Sequence, residues 1–443
     1  MSKKTKTSKK KTDLKTAGAQ KSPNKGYADY LAIIPGALMC AMLLIMLVLD
    51  IMIPGMEERQ FVVFPNLFTV FDYLIIAAGL VHLGISAKKK ELRFEKTDAC
   101  FAAFAVLILL STFVNGFNFM TIDGVPYRYI GILNMFAFLL IYKGVSRSVR
   151  TDAFADYMLA GYLAAADLIG IAALLDTLTG GIAAFHDKKE LSAVFFNGNH
   201  YGYFLMMVVL IGLAYYLFGS GRIAVFGAAS AGINLVLLAI NHSLGSILAL
   251  LIVLAVTWVL IALRDRTHLK KMRLLACVLF AAFIVAVLIS PALRKEFTGF
   301  ASDLGAILAG TAEGSAGHRR LQMWTLTTGY IAEKPLLGYG CEGIAFMLYE
   351  AMKVSDPHCE VLAYAAYYGI PAAILYAAGV VGTIISSMRR MSAAPGKQGG
   401  TKDVCRKAAC MAAAGYFISS FTGVGMFYTL PFFFIFLGIS SRR

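Results

Sequence analysis

The chain has 443 residues, of which 58% are hydrophobic and 15% charged, and its mean hydropathy is +0.70. Soluble domains are about 45 to 50% apolar, so this composition excludes a soluble globular protein and indicates an integral membrane protein. The net charge of +15 is not accompanied by a folded basic patch or an aromatic platform, and we therefore expect no nucleic-acid partner.

The amino-terminal residues 1–28 are rich in lysine. They contain nine lysines and no arginine, and no apolar run begins before residue 30. We expect a disordered basic tail held at an anionic inner leaflet. A cleaved signal peptide is not expected, because the first apolar segment is too long for one.

Apolar runs recur along nearly the whole remaining chain. About 20 helical residues span about 30 Å of hydrocarbon, so these runs predict an all-α polytopic membrane protein with about 12 transmembrane helices, at residues 30–53, 66–87, 97–115, 127–142, 154–178, 199–218, 222–240, 242–263, 274–291, 358–387, 407–424 and 426–440. The chain then divides into the tail, helices one to nine (29–291), a loop segment (292–357) and helices ten to twelve (358–443).

The positions of basic residues predict the orientation of these helices. Most of the 41 lysines and arginines fall in the tail, in the connections on the tail's side of the membrane and at the carboxyl terminus. By the positive-inside rule, both termini are expected in the cytoplasm and the loop segment on the outer face. This predicts a multi-pass protein of the cytoplasmic (inner) membrane.

The loop segment has predicted helices of its own. The stretch "RRLQMWTLTTGYIAEK" suits an amphipathic helix that Pro335 ends at Lys334, and a second helix is predicted from Glu342 to Met352. Pro357 is predicted to start helix ten, with His358 in its first turn. A helix start presents unpaired amide donors, which favour an anion and a neutral histidine that accepts a proton.

Cations and a histidine in the loop segment suggest chemistry at a diphosphate. The planar guanidinium groups of Arg319 and Arg320 suit paired hydrogen bonds to phosphate, and Lys334 follows them in sequence. With His358 as a base, the set suggests transfer of a group away from a diphosphate on a lipid-linked donor, because the outer face has no nucleotide supply. The alternative is that the cations contact lipid headgroups, that Trp324 anchors the membrane interface and that the histidine is only solvated.

Four further polar residues are candidate substrate-binding groups: Asn199, His200, His242 and Glu360. The first two are expected at an outer helix end, where they either line the path of the acceptor or cap the helix. Glu360 is placed to orient the base. Asp167, in the middle of helix five, is an intramembrane carboxylate and a weaker candidate.

The seven cysteines show no metal-ligand spacing, so neither a metal site nor a cofactor is expected. Cys341 and Cys359 both fall on the expected outer side. They either pair or, as most lone membrane cysteines do, serve as small apolar fillers.

One stretch resembles the signature of the O-antigen ligase and O-antigen polymerase superfamily. Arg320 stands four residues before Trp324, "PLLGYG" follows, then Pro-His at 357–358 and a helix that contains Gly-Ile-Pro. Two upstream stretches fit more weakly: "FFNGNHYGYFLMM" at 195–207 and "NHSLGSILALL" at 241–251. The resemblance covers residues 190–385 and departs from the family pattern at Cys359, usually asparagine, and at Leu244, usually arginine. Arg319 or His242 are the candidates to replace that missing arginine.

The resemblance implies a GT-C-like fold and an inverting, metal-independent glycosyl transfer. A polyprenyl-diphosphate-linked glycan would be the donor, and a glycan or lipid-anchored sugar in the bilayer the acceptor. Carried over by residue, His358 is the general base or orients the acceptor, and Arg320 binds and neutralises the diphosphate. Ligation and polymerisation both stay open.

Two other functions remain as alternatives. A flippase or secondary transporter of lipid-linked glycans is the first, and such proteins tend to show internal repeats and paired broken helices with charges near the midplane. The sequence shows no convincing repeat, and its polar cluster is expected outside the bilayer. A glycan polymerase of the shape, elongation and division type is the third possibility, and its acidic loop residues are not recognised here.

Overall fold

The computed structural model describes a helical bundle. The described residues are 34–53, 56–89, 94–117, 119–125, 128–148, 152–179, 186–187, 190–195, 197–264, 266–312, 316–392 and 401–442. The predicted tail, residues 1–28, lies outside them.

The first half of the chain forms helices α1 to α8, with one short hairpin between α6 and α7. The helices are α1 (Ile34–Met52), α2 (Met56–Lys88), α3 (Lys96–Asn115), α4 (Phe119–Asp123), α5 (Ile132–Ser148), α6 (Asp152–Thr179), α7 (Gly198–Phe218) and α8 (Gly221–Asn241). In the hairpin, β1 (His186–Asp187) pairs antiparallel with β2 (Glu190–Leu191), so that His186 lies opposite Leu191.

The second half contains nine helices and no strand among its described residues. Its helices are α9 (Leu244–Arg264), α10 (Leu269–Ile289), α11 (Pro291–Leu308), α12 (Arg320–Glu333), α13 (Ala345–Met352), α14 (Glu360–Tyr368), α15 (Ile370–Ser392), α16 (Thr401–Ser419) and α17 (Leu430–Ser440). Short 3-10 turns cover Ala193–Phe195, Arg266–His268 and Ser420–Thr422.

Within the described part of the chain, 8 helices are long and apolar enough to cross a membrane: Thr69–Lys88, Lys96–Asn115, Ala155–Thr179, Gly198–Phe218, Gly221–Asn241, Leu244–Arg264, Arg266–Ile289 and Ile370–Arg390. Three shorter apolar helices are Gly36–Met52, Ile132–Ser146 and Leu430–Ser440. The chain is therefore a multi-pass, all-α membrane protein, as predicted. The predicted number of about 12 spans is not established by these helices.

Helix α7 lies at the centre of the bundle. Along its apolar stretch 89% of the residues are buried, whereas a helix that faces lipid keeps one side exposed. Glycines allow the neighbouring helices to approach: a Cβ on Gly212 of α7 would lie 2.6 Å from the carbonyl oxygen of Gly227 in α8. Small residues at such contacts are the usual way in which membrane helices pack closely.

The predicted helix ten is broken in the structure. The prediction of one continuous helix over 358–387 was wrong, because α14 ends at Tyr368 and α15 begins at Ile370. Gly369 joins them with φ +92°, a left-handed conformation that glycine adopts without strain. "PLLGYG" packs into the break, where the amides of Tyr339 and Gly340 donate to the carbonyls of Ala366 (3.0 Å) and Tyr367 (2.9 Å). The carbonyl groups that the helix end leaves free are thus satisfied.

The loop segment is helical but differs in detail from the prediction. Its first helix, α11, was not predicted, and it starts with Pro291 at N1 behind a cap from Ser290, whose hydroxyl accepts from the amide of Leu293 at 3.2 Å. Helix α12 ends at Glu333, close to the predicted position. The second predicted helix begins at Ala345 rather than at Glu342, because Glu342 has φ +52° and cannot continue a helix.

Candidate functional site

His358 lies in a tight turn, residues 355–358, that precedes α14. The prediction that it occupies the first turn of the helix was wrong: Cys359 is the N-cap, α14 begins at Glu360, and His358 has φ +53°. This left-handed conformation is uncommon outside glycine. It is held by the carboxylate of Asp356, whose Oδ1 accepts a hydrogen bond from the backbone N–H of His358 at 2.7 Å.

The imidazole of His358 has one assignable tautomer. Its Nδ1 lies 2.9 Å from the backbone carbonyl oxygen of Asp356. Because a carbonyl oxygen only accepts, Nδ1 carries the proton and Nε2 of the neutral ring keeps its lone pair. The ring is half-buried. The turn therefore presents a proton acceptor at a partly shielded position.

Trp324 connects this turn to α12. Its indole Nε1 donates to the carbonyl oxygen of Pro357 at 2.9 Å. Arg320 lies four residues before Trp324, and residues at that spacing share one face of a helix. The contact brings the start of α12, with Arg320, to the same place as the His358 turn.

Part of the guanidinium group of Arg320 has no hydrogen-bond partner among the described residues. Its Nη1 donates to the carbonyl oxygen of Gly317 at 3.2 Å. Its Nε is buried and has no hydrogen-bond partner among the described residues. Buried polar atoms normally have partners, so this nitrogen suits an anionic ligand. Arg319, beside it, is exposed and has φ +68°.

Arg128, a buried arginine that the sequence analysis did not identify as a candidate, contacts the turn that contains His358. Arg128 is 4% exposed, and its Nε donates to Oε1 of Glu342 at 2.7 Å. Its Nη1 donates to the carbonyl oxygen of Ser355 at 2.6 Å and lies 3.7 Å from Oδ2 of Asp356. Burial alone would lower the pKa of Arg128, but Glu342, Tyr367 and Asp356 raise it above the ordinary value, so the group stays charged.

The first turn of α7 lies beside the same turn. His200 is 8% exposed and its Nδ1 has no hydrogen-bond partner among the described residues. It is close enough to His358 for the charges of the two rings to interact. Tyr203, one turn further along α7, interacts in the same way with Arg320, Asp356 and Glu360. The start of α7 thus lies near His358 through His200 and near Arg320 through Tyr203.

Asn199 precedes His200 at the start of α7, and it contacts the connection between α8 and α9, which contains His242. Asn199 is exposed, and its Oδ1 accepts from the hydroxyl of Ser243 at 3.4 Å. His242 adjoins that serine, has φ +49° and places Nδ1 2.9 Å from the carbonyl oxygen of Ile240. Leu244, at the position where the resemblance leads one to expect arginine, begins α9.

Lys334 is not brought to this site. It follows the last residue of α12, fourteen residues after Arg320, which is about 20 Å along a helix at about 1.5 Å per residue. Its Nζ donates to Oδ1 of Asn115 at 3.2 Å and lies 4.4 Å from the ring centroid of Tyr339. The structure thus separates the third predicted cation from Arg319 and Arg320.

Glu360 faces a tyrosine cluster. The hydroxyl of Tyr376 donates to its Oε1, and that of Tyr416 donates to its Oε2 at 3.3 Å. α14 lies outside the 8 candidate spans, and burial raises the pKa of the Glu360 carboxyl to about 7. Asp356 makes the hydrogen bond to His358 that had been expected of Glu360.

In the part of the chain that the structure describes, the cysteines form no disulfide and the acidic groups do not converge on a metal site. All seven cysteines are free, and Cys341 is buried, where the hydroxyl of Tyr368 donates to its sulfur at 3.1 Å. Among the described residues, no three His, Cys, Asp or Glu side chains converge in a way that could hold a metal ion. Asp167 is half-buried between α6 and α8, and its Oδ1 accepts from Ser230 and Asn234 at 2.7 Å each.

Comparison with known proteins supports the resemblance seen in the sequence. Residues 229–377 match the family model described as O-antigen ligase. The match covers about a third of the chain and includes Arg320, Trp324 and His358. No curated protein sequence matches the chain significantly.

Proposed function

We propose that the protein transfers or polymerises an oligosaccharide from a polyprenyl-diphosphate donor. The match of residues 229–377 to the O-antigen ligase family model supports a reaction of this type. The reaction takes place on the outer face of the cytoplasmic membrane, where the loop segment is expected to lie. The observation that supports this most directly is the hydrogen bond from Trp324 to Pro357, since it joins an arginine for the leaving group to a histidine for the acceptor.

In this mechanism His358 acts as the general base. Its Nε2 takes the proton of the attacking sugar hydroxyl while that oxygen forms a bond to the anomeric carbon of the donor. The bond from the anomeric carbon to the diphosphate breaks, and the electron pair leaves with the polyprenyl diphosphate. A single displacement from the opposite face inverts the anomeric centre.

Arg320 stabilises the leaving group. Negative charge on the diphosphate oxygens grows as the bond breaks, so a fixed guanidinium binds the transition state more tightly than the ground state. Arg319, exposed beside it, contacts the outer phosphate. Charge supplied by arginine makes the proposed reaction independent of a metal ion.

The first turn of α7 binds the acceptor in this proposal. His200, whose Nδ1 has no hydrogen-bond partner in the described part of the chain, lies near His358 and binds sugar hydroxyls in this proposal. Asn199, which follows the N-cap of α7, and His242 are proposed to contribute to the same binding. Lys334 is too far along α12 to share a diphosphate with Arg320. We assign it to contact with lipid headgroups.

The test is the replacement of each of the two central residues by alanine. Loss of a general base costs about 10² to 10⁴ in rate, and loss of one charge-stabilising donor about 10² to 10³. His358→Ala and Arg320→Ala should therefore abolish long-chain surface glycan while the protein still inserts in the membrane. Lys295→Ala, on the exposed side of α11, is the control and should leave the glycan unchanged. Normal glycan from both site variants would remove the mechanism.

A further inference from the structure

Arg128 connects three parts of the chain that are far apart in sequence. It lies just before α5, and its side chain contacts Glu342 and the turn at Ser355 and Asp356. Its own carbonyl oxygen accepts from the amide of Phe427 at 3.2 Å. The side chain of Arg128 thus joins the start of α5 to the loop segment, and its backbone carbonyl joins the same point to the segment before α17.

Stability alone is a weak explanation for this arrangement. Removing an arginine and a glutamate from water costs about as much as their attraction returns, so a buried ion pair adds little net stability. What the pair provides is direction, because the planar guanidinium donates along fixed lines. Here Nη1 donates to the carbonyl oxygen of Ser355 at 2.6 Å and to its hydroxyl at 3.1 Å, and it lies 3.7 Å from Oδ2 of Asp356 as an ion pair.

Ser355 and Asp356 both belong to the turn that presents His358. Asp356 closes the turn by accepting the backbone N–H of His358 through Oδ1, and its Oδ2 accepts from the hydroxyl of Tyr367 at 3.3 Å. The imidazole orientation in turn depends on the carbonyl oxygen of Asp356. A displacement of Asp356 therefore moves Nε2 of His358.

We propose that Arg128 is a positioning residue for His358, which acts through Ser355 and Asp356 to fix the direction in which Nε2 points. It touches neither donor nor acceptor. The inference rests on the proposed function, in which Nε2 accepts the proton of the acceptor hydroxyl.

Three variants of the purified full chain test this inference: Arg128→Lys, Asp356→Asn and the two combined. Lysine keeps the positive charge that pairs with buried Glu342 but lacks the planar guanidinium group and its fixed N–H donors. Asparagine keeps an oxygen that can accept from the backbone N–H of His358 but loses the negative charge of Asp356. Each single variant should lower kcat for glycan transfer about tenfold, with the KM for the donor within twofold of wild type. The double variant should be no slower than the slower single variant, since both changes act through one turn.

Cys359, directly after His358 and half-buried, reports on the turn without any need for activity. Its rate of alkylation, measured by mass spectrometry of the peptide, should rise at least threefold in Arg128→Lys and Asp356→Asn. Lys143→Arg is the matched control, because Lys143 pairs with Asp98 at 2.5 Å between α3 and α5, away from the turn. It should change neither kcat nor the rate of alkylation.

Each outcome decides the inference. A kcat within twofold of wild type in Arg128→Lys, unchanged alkylation of Cys359, or additive losses in the double variant would each overturn it. If the wild-type protein transfers no glycan, the proposed function fails, and the alkylation rates alone then decide whether Arg128 positions the turn.

Discussion

Replacing Trp324 with phenylalanine tests the contact that joins the two halves of the candidate site. The change removes the indole N–H that donates to Pro357 at 2.9 Å and keeps an aromatic ring at the same place on α12. The carbonyl group of buried Pro357 loses this donor, while the packing of the ring is largely retained. The substitution thus separates the hydrogen bond from the hydrophobic contact.

The size of the effect follows from the hydrogen bond. A net contribution of about 0.5 to 1.5 kcal/mol, rising to about 1 to 3 kcal/mol when a buried acceptor is left without its donor, gives a working value of about 1 to 2 kcal/mol. If that loss falls on the transition state because the His358 turn is no longer held against Arg320, kcat decreases roughly 5- to 30-fold. The KM for the donor should change less, since Arg320 itself is intact.

The assay is glycan transfer per amount of folded protein, measured on the purified chain. The only other tryptophan, Trp258 of α9, supplies the control, because it is partly buried against the core and lies outside the site. Trp258→Phe should change kcat by less than twofold. Equal losses in the two variants, or a kcat within twofold of wild type in Trp324→Phe, would refute the role given to this contact.

Three further outcomes are expected. Burial raises the pKa of Glu360 from 4.5 to about 7, so the folded state favours its protonated form and the free energy of unfolding should fall as pH rises through that window, by up to about 3 kcal/mol. Unfolding in detergent should show a flatter pH profile for Glu360→Gln, and identical profiles would contradict this account. Glycan transfer should persist in EDTA, whereas strict dependence on an added divalent ion would exclude the metal-free reaction. Lys334→Cys should react with a membrane-impermeant thiol reagent in intact cells, and labelling only after lysis would reverse the orientation.

The proximity of the elements that carry the two main candidate residues, Arg320 and His358, was predictable from the sequence. Arg320 and His358 stand in a recognisable stretch between apolar helices, and the structure joins their elements through Trp324. The position of Lys334 was also within reach of sequence reasoning, because Lys334 comes fourteen positions after Arg320 along a predicted helix. Helical rise alone places these two cations about 20 Å apart.

The supporting residues were not predictable in the same way. Arg128 and Glu342 are 214 residues apart in sequence, and no local pattern indicates that they meet. The left-handed turn at His358 depends on Asp356, a common residue before proline, so Pro357 was read as a helix start. The break at Gly369 depends on "PLLGYG" supplying hydrogen-bond partners from another part of the chain. Local pattern therefore indicates candidate reactive groups, whereas tertiary contacts decide how these groups are held.

Transfer by the purified chain in lipid vesicles measures the central claim most directly. The donor is a defined polyprenyl-diphosphate glycan, and both the new glycosidic bond and the released polyprenyl diphosphate are quantified for the wild-type chain, His358→Ala and Arg320→Ala at equal folded protein. The wild type should produce the two products in equal amounts, and each variant should lose at least about 100-fold in kcat/KM. Movement of intact donor across the vesicle membrane without a new bond, or full transfer by either variant, would contradict the account.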